Sequence, residues 1–146
     1  MLVQEEFAER VVMEYESDVG SLGMVVALDF EPEMGERIGP HVFSPMPKVH
    51  SRLLRMKPHD EEWPCDRRLL VMMIHAGFSQ RRKKLKATLR SAPKRISRIP
   101  GWHAGRWKSA YASLQDDPRL DQRPETFDID DWAELGADFE AGDQEE

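Results

Sequence analysis

Residues 69–90, LLVMMIHAGFSQRRKKLKATLR, decide the fold of the second half of the chain, because an apolar helical pattern runs directly into a cluster of cations. Five apolar residues recur at the spacing of one helix face: Leu69, Leu70, Met73, Ile74 and Phe78. From Phe78 to Arg90 there are six cations and no acid, while Leu85 and Leu89 stay one helical turn apart. The pattern predicts a helix over 78–90 that buries one edge in a core and offers its cations to polyanions.

Positive charge extends beyond this stretch, although the 146-residue chain carries a formal net charge of -6. Between Asp66 and Asp116 lie 13 Lys or Arg residues and no acid, whereas 13 acids lie from Asp116 to Glu146. A single charge run is usually a solvated face. Because this one crosses several predicted elements and includes two tryptophans, it favours nucleic-acid binding, with RNA or DNA left open.

Cysteine and histidine usage narrows the class of protein. The lone Cys65 has no partner for an internal disulfide, which predicts a reducing, cytoplasmic location. The five histidines have no metal-ligand spacing, so we expect no metal site.

The longest apolar run is too short to span a bilayer, and acids from Glu5 onward argue against a signal peptide, so we expect no membrane partner.

Further patterns outline the remaining elements. They predict a helix over 5–13, an element of undecided type over 24–30, a strand over 49–56, a helix around 107–114, and a helix with Asp128 as N-cap. The prolines and acids of 57–66 mark the best domain boundary. The aromatic residues of the last two helices are expected to lie in the core rather than to stack on a ligand.

Four segments in order carry a family resemblance: MLVQEEFAERVV at 1–12, FSPMPKVHS at 43–51, FSQRRKKLKATL at 78–89 and RPETF at 123–127. Together they resemble the C-terminal part of the small-subunit ribosomal RNA adenine dimethyltransferases. The resemblance implies an α+β fold. In it, residues 1–58 are the C-terminal end of a Rossmann-like methyltransferase sheet, and residues 59–146 are a small all-helical RNA-binding domain with an acidic tail. Residues 20–24 depart from the tyrosine-glycine-arginine-leucine-serine segment usual in the family.

The resemblance also implies an activity for the complete enzyme, which transfers methyl groups from S-adenosylmethionine to N6 of two adjacent adenines near the 3′ end of small-subunit rRNA. That chemistry uses a glycine-rich loop and an Asn-Leu-Pro-Tyr type motif. The present sequence contains no Gly-x-Gly and no asparagine. We therefore expect a fragment that alone binds no S-adenosylmethionine and is inactive, and that exposes apolar surface at Leu2, Val3, Phe7 and Val11.

Within the family, the loop at 43–51 touches the chemistry, and its prolines stiffen it. The resemblance implies that Phe43 stacks on the target adenine; burial of Phe43 in the core is the alternative. The candidate RNA-binding residues are Lys48, Gln80, Arg81, Arg82, Lys83, Lys84, Lys86 and Arg90. Gln80 and one of the arginines are alternatively interpreted as ties to the neighbouring subdomain. The implied partner is small-subunit rRNA in an assembling small ribosomal subunit.

Two other functions remain open from the sequence. One is a catalytically inactive RNA- or ribosome-binding module that works as it stands. The other is a DNA-binding relative, because mitochondrial transcription factors share this family's architecture.

Overall fold

The computed structural model describes residues 1–142, which fall into two compact units divided between Glu61 and Glu62. The first unit combines a three-stranded sheet with helices, and the regular elements described in the second are helices alone. The α+β class predicted from the sequence is confirmed. His59 belongs with the first unit, because its main-chain N–H donates to the Asp29 carbonyl oxygen at 3.0 Å.

The first unit is a small antiparallel sheet with two helices. Its elements in chain order are β1 Leu2–Gln4, α1 Glu5–Val12, α2 Ser21–Ala27, β2 Phe30–Ile38 and β3 Ser51–Pro58. The strand order is β1-β3-β2, with Leu2 opposite Leu53 and Phe30 opposite Pro58. The undecided segment over 24–30 is therefore the end of one helix and the first residue of a strand.

The strand β2 is the element that sequence patterns missed. Its acids and Pro32 read as poor strand residues, but β2 lies at the edge of the sheet, where a missing N–H donor is tolerated. The pairing slips between Met34 and Arg37, and a Cβ on Gly35 would lie 2.9 Å from the carbonyl oxygen of Leu53. Gly35 therefore permits the close backbone approach at this irregularity.

The expected exposure of the N-terminal segment is right for Leu2 and Phe7, but Val3 is half-buried and Val11 is buried. Leu2 is 47% exposed and Phe7 is 38% exposed. Val11 is only 2% exposed, because it lies one turn after the buried Ala8 on the face of α1 that packs against α2 and the sheet.

Residues 62–142 of the second unit form four α-helices and three short 3-10 turns. The helices are α3 Arg67–Phe78, α4 Leu85–Thr88, α5 Ala104–Ser113 and α6 Ile129–Gly142. Leu69, Leu70, Met73 and Ile74 of α3 are buried as predicted, whereas Phe78 is half-buried. Further core residues are Trp107, Trp132 and Phe139. Asp128 caps α6 as predicted: its carboxylate accepts from the Asp131 N–H at 2.8 Å, and that of Asp131 accepts from the Asp128 N–H at 3.0 Å.

The continuous cationic helix predicted over 78–90 is wrong. Helix α3 ends at Phe78, residues 79–84 form turns, and α4 is a single turn that begins at Leu85. Lys84 has an extended conformation, and the Leu85 N–H donates instead to the carbonyl of Gln122 at 2.9 Å. Four successive cations without an acid one turn away also repel each other within a helix. Leu85 and Leu89 are nevertheless fully buried, as the pattern predicted.

Candidate nucleic-acid interface

The cations singled out by the sequence lie on a short anchored segment rather than along a helix. Arg82, Lys83 and Lys84 are exposed on what we call the cationic turn, residues 79–84. The buried side chains of Leu85 and Leu89, which follow the turn in the chain, anchor it to the core. The turn therefore exposes three cations next to residues that are fixed in the core.

Hydrogen bonds from helix α5 fix the segment that follows the cationic turn. The indole Nε1–H of Trp107 donates to the Leu89 carbonyl oxygen at 2.8 Å, and the Tyr111 hydroxyl donates to the Lys86 carbonyl oxygen at 2.7 Å. Both acceptors are main-chain groups at the end of a very short helix, where carbonyls lack partners in the helix itself.

Two of the predicted RNA-binding cations are already paired with carboxylates. Arg81 lies 3.2 Å from Glu125 and Lys86 lies 3.1 Å from Asp121. In this conformation, Arg81 and Lys86 therefore contact carboxylates. Exposed pairs of this kind contribute little to stability, at most about 1 kcal/mol. A phosphate could displace the carboxylates, and the RNA-binding role of both residues stays a prediction.

Gln80 and Arg90 lie at the two ends of the predicted interface and are both exposed. The Gln80 carbonyl oxygen accepts from the Lys83 N–H at 2.9 Å, which closes the first bend of the cationic turn. The guanidinium-bearing Arg90 lines a cavity of about 570 Å³ together with Lys108 and Tyr111. Their contact with RNA is a prediction.

A second group of cations lies outside the RNA-binding site that the sequence predicts. Lys94, Arg95 and Arg98 are exposed around the 3-10 turn Ile96–Arg98, and they line a cavity of about 800 Å³ against α3. The nearly fully buried Ile96 and Ile99 hold this turn to the core. The available signal was two isoleucines three residues apart among the cations, but so short a run does not establish a helix or a strand period.

Phe43 and Lys48 lie in the first unit, in the loop between β2 and β3. The loop begins with a 3-10 turn at Pro40–Val42, and its Ser44–Pro45 peptide bond is cis. Phe43 is half-buried and Lys48 is exposed. A half-buried ring keeps area that a base could cover, so stacking on an adenine stays a prediction beside core packing.

The base of this loop is tied to helix α1. The carbonyl oxygen of His50 accepts from the Glu5 N–H at 3.0 Å, and the Glu5 carboxylate pairs with Arg37 at 2.6 Å. The hydrogen bond from Arg37 holds the pKa of Glu5 below its usual value. The ionised carboxylate thus links the end of β2 to the start of α1 and fixes one stem of the Phe43 loop.

Cys65 has no features of a reactive thiol. Burial, followed by the nearby Glu140 and Asp66, raises its pKa to about 12. The thiol is protonated near neutral pH, so it is neither an activated nucleophile nor a ready metal ligand. Across residues 1–142, no group of three His, Cys, Asp or Glu side chains could hold a metal ion.

In the part of the chain that the structure describes, every helix is too short or too polar to cross a bilayer.

A nucleotide cofactor of the Rossmann type needs a strand, a glycine-rich loop and a helix N-terminus against its polar groups. Among residues 1–61, the strand that runs straight into a helix is β1, and no glycine lies between Leu2 and Val12. The strands here pair antiparallel. These residues do not fit the adenosine cofactor that the resemblance implies for a complete enzyme.

Comparisons with curated proteins point to one family. A family model described as ribosomal RNA adenine dimethylase matches residues 1–98. The ribosomal RNA small subunit methyltransferase A of Bradyrhizobium sp. (strain ORS 278) is 39% identical over 100 residues, covering 68% of this chain and 35% of the relative. That of Bradyrhizobium diazoefficiens is 37% identical over 110 residues, covering 73% and 39%. The chain thus spans well under half the length of these relatives.

Solved structures agree on the fold. A dimethyladenosine transferase from Plasmodium falciparum aligns with a TM-score of 0.76 at 20% identity, over 97% of this chain and 56% of the other. The 23S rRNA methyltransferase ErmE aligns with a TM-score of 0.51 at 21% identity, over 96% and 53%. At these identities the likeness concerns the fold alone. The family model, however, matches most of the chain, so this chain belongs to the ribosomal RNA adenine dimethylase family.

Proposed function

We propose that this chain docks structured RNA of the small ribosomal subunit for an rRNA adenine dimethyltransferase reaction. The observation that carries the proposal is the cationic turn of a member of this family, with Arg82, Lys83 and Lys84 exposed above buried leucines. Arginine can engage a phosphate bidentately and lysine acts as a mobile point charge. Contacts of this kind position an A-form helix by its shape and backbone without reading its sequence.

The proposal divides the work between the two parts of the chain. Residues 1–58 correspond to the C-terminal end of the methyltransferase domain, and residues 59–146 hold the RNA. In the complete enzyme, the reaction transfers methyl groups from S-adenosylmethionine to N6 of two adjacent adenines near the 3′ end of small-subunit rRNA. Phe43 stacks on an adenine turned out of its helix, and the cations of the second unit hold the phosphate backbone of the RNA.

A second candidate function is an RNA- or ribosome-binding module without catalysis. It is favoured by the absence of asparagine and of any Gly-x-Gly in the sequence. Without those groups the chain keeps the means to hold RNA and lacks the family's means to hold the methyl donor. Both candidates share RNA docking, and methyl transfer separates them.

The experiment is a binding titration of the full chain with a hairpin from the 3′ end of small-subunit rRNA, over a range of salt concentrations. We expect affinity to fall as salt rises, and replacement of Arg82, Lys83 and Lys84 by Gln to flatten the slope of log K against log salt by up to about 2. A DNA hairpin of the same length is the control. Equal affinity for DNA and RNA, or an unchanged slope in the variant, would contradict the proposal.

A further inference from the structure

Three cavities on the second unit join into one surface. The cavity of about 800 Å³ shares Val71, Met72 and Arg98 with a cavity of about 280 Å³ beside the start of α3. It shares Ser91 and Ala92 with the cavity of about 570 Å³ beside α5. Because neighbouring cavities share lining residues, they form one continuous depression, which we call the track. An elongated ligand fits such a surface better than a compact one.

The lining of the track carries one sign of charge. Arg90 and Lys108 line one end, and Lys94, Arg95 and Arg98 line the middle. The described residues that line the three cavities include no carboxylate. Focused positive charge in a depression attracts polyanions.

The three cations in the middle of the track differ from those paired near the cationic turn. Within the described part of the chain, Lys94, Arg95 and Arg98 make no ion pair, whereas Arg81 and Lys86 lie against Glu125 and Asp121. A phosphate that approaches the track therefore meets cations without first displacing a carboxylate. This favours the track over Arg81 and Lys86 as a place for phosphates.

Local structure aligns two of these cations. The Arg98 N–H donates to the Arg95 carbonyl oxygen at 2.9 Å, which closes a 3-10 turn, and side chains three residues apart eclipse each other in that geometry. Ile96 and Ile99 point into the core and leave the cations in solvent. Opposite them, the half-buried Val71 and Met72 of α3 supply an apolar wall that a ribose or base edge could cover.

We propose that the track binds a single strand of RNA, with phosphates against Lys94, Arg95 and Arg98. The inference rests on the proposed RNA-docking function and assigns to it a second group of phosphate-binding cations, in addition to Arg82, Lys83 and Lys84 of the cationic turn that holds duplex. Tyr111 and His75 are the aromatic rings among the described lining residues. Since base stacking then contributes at two positions at most, the phosphates carry most of the affinity and binding shows little base preference.

The test compares two variants of the full chain that lose the same number of charges. The track variant changes Lys94, Arg95 and Arg98 to Gln, and the turn variant changes Arg82, Lys83 and Lys84 to Gln. We expect the track variant to bind a mixed-sequence single-stranded RNA about tenfold more weakly, and the turn variant to lose about threefold or less. With the hairpin the order of the two losses is reversed. Circular dichroism melts and a charge-conserving Lys94→Arg, Arg95→Lys, Arg98→Lys variant, which should bind as wild type, control for folding.

Each alternative has its own outcome. If wild type binds no RNA, the proposed function fails and the track proposal fails with it. If wild type binds the single strand and the track variant binds it equally well, or if both variants lose the same affinity, the track alone is overturned. If the track variant keeps its affinity for RNA but loses affinity for a polyglutamate peptide, the surface is a protein-docking site and the proposal is wrong.

Discussion

The indole Nε1–H of Trp107 donates a buried 2.8 Å hydrogen bond to the main-chain carbonyl oxygen of Leu89. The bond joins helix α5 to the end of the segment that carries the cationic turn. Trp107 is fully buried and also packs edge-on against Phe139 at a ring separation of 4.6 Å. One side chain thus links the candidate RNA-binding segment, α5 and α6.

We expect Trp107→Phe to lower the free energy of unfolding by about 2–4 kcal/mol, because it leaves a buried carbonyl unpaired and removes ring volume. Urea unfolding measures the change. Tyr111→Phe is the matched control, since it removes a bond to the Lys86 carbonyl at an exposed position and should cost about 1 kcal/mol or less. Equal losses in the two variants would contradict the special role of the buried bond.

Acid should weaken the pair between Asp117 and Arg119 at the start of the 3-10 turn Pro118–Asp121. Arg119 bridges Asp117 and Asp138, each at 2.7 Å, and its hydrogen bond lowers the pKa of Asp117. A carboxyl group with a lowered folded-state pKa contributes stability above its unfolded pKa of about 3.9, and this stability is lost as the pH falls through the folded pKa. Asp117→Asn should therefore be less stable than wild type at pH 7, by about 1 kcal/mol or less.

The same pair of proteins provides the check. The difference in free energy of unfolding between wild type and Asp117→Asn should shrink as the pH drops below about 4. Using the difference cancels the contribution of Asp66, whose pKa is also lowered, by Arg68. A difference that stays constant from neutral to acid pH would show that the charge on Asp117 is not the source of the stability lost in Asp117→Asn.

Removing the carboxylates beside Arg81 and Lys86 should strengthen RNA binding. Changing Glu125 to Gln and Asp121 to Asn removes these two carboxylates, and we expect hairpin affinity to rise by about threefold to tenfold at low salt, with a steeper salt slope. The control changes the exposed Glu134 and Asp130 to Gln and Asn, which alters net charge equally. An equal gain in the control would mean that net charge, not pairing, limits binding.

Phe43→Ala should lower methyl transfer more than it lowers RNA binding. In a chain joined to a methyltransferase half of this family, we expect methyl transfer to fall by about tenfold or more, from the loss of roughly 1–3 kcal/mol of stacking. Binding of the hairpin should change little, because the cations hold the duplex. Val42→Ala, at a neighbouring position that is 62% exposed, is the control. Unchanged transfer in Phe43→Ala would leave core packing as the role of the ring.

Apolar surface at the β1 edge should drive self-association of the isolated chain. Leu2 and Leu53 lie opposite each other and are 47% and 41% exposed, with Met1 beside them at 67%. We expect Leu2→Lys with Leu53→Lys to shift the chain toward monomer in sedimentation velocity experiments. Met46→Lys, which adds charge at an exposed loop residue, is the control. A wild-type chain that stays monomeric at high concentration would contradict this prediction.

The sequence alone determined the features that depend on neighbours along the chain. The apolar period of α3, the cap at Asp128 and the burial of Leu85, Leu89, Trp107 and Trp132 all follow from local spacing. The order of the four motif segments was likewise sufficient to indicate the family, which the family model confirms. These signals are local or linear, so no knowledge of the fold was needed to read them.

The tertiary structure alone decided features that depend on residues far apart in the chain. The break at 79–84 depends on the Leu85 N–H turning to Gln122, and β2 exists because β3 pairs with it across the intervening loop. Arg81 meets Glu125 from 44 residues away, and Lys94, Arg95 and Arg98 form a surface only because α3 lies opposite them. A charge run gives the number of cations, but their availability to phosphates depends on which carboxylates the fold brings alongside, since Coulomb energy depends on distance in space.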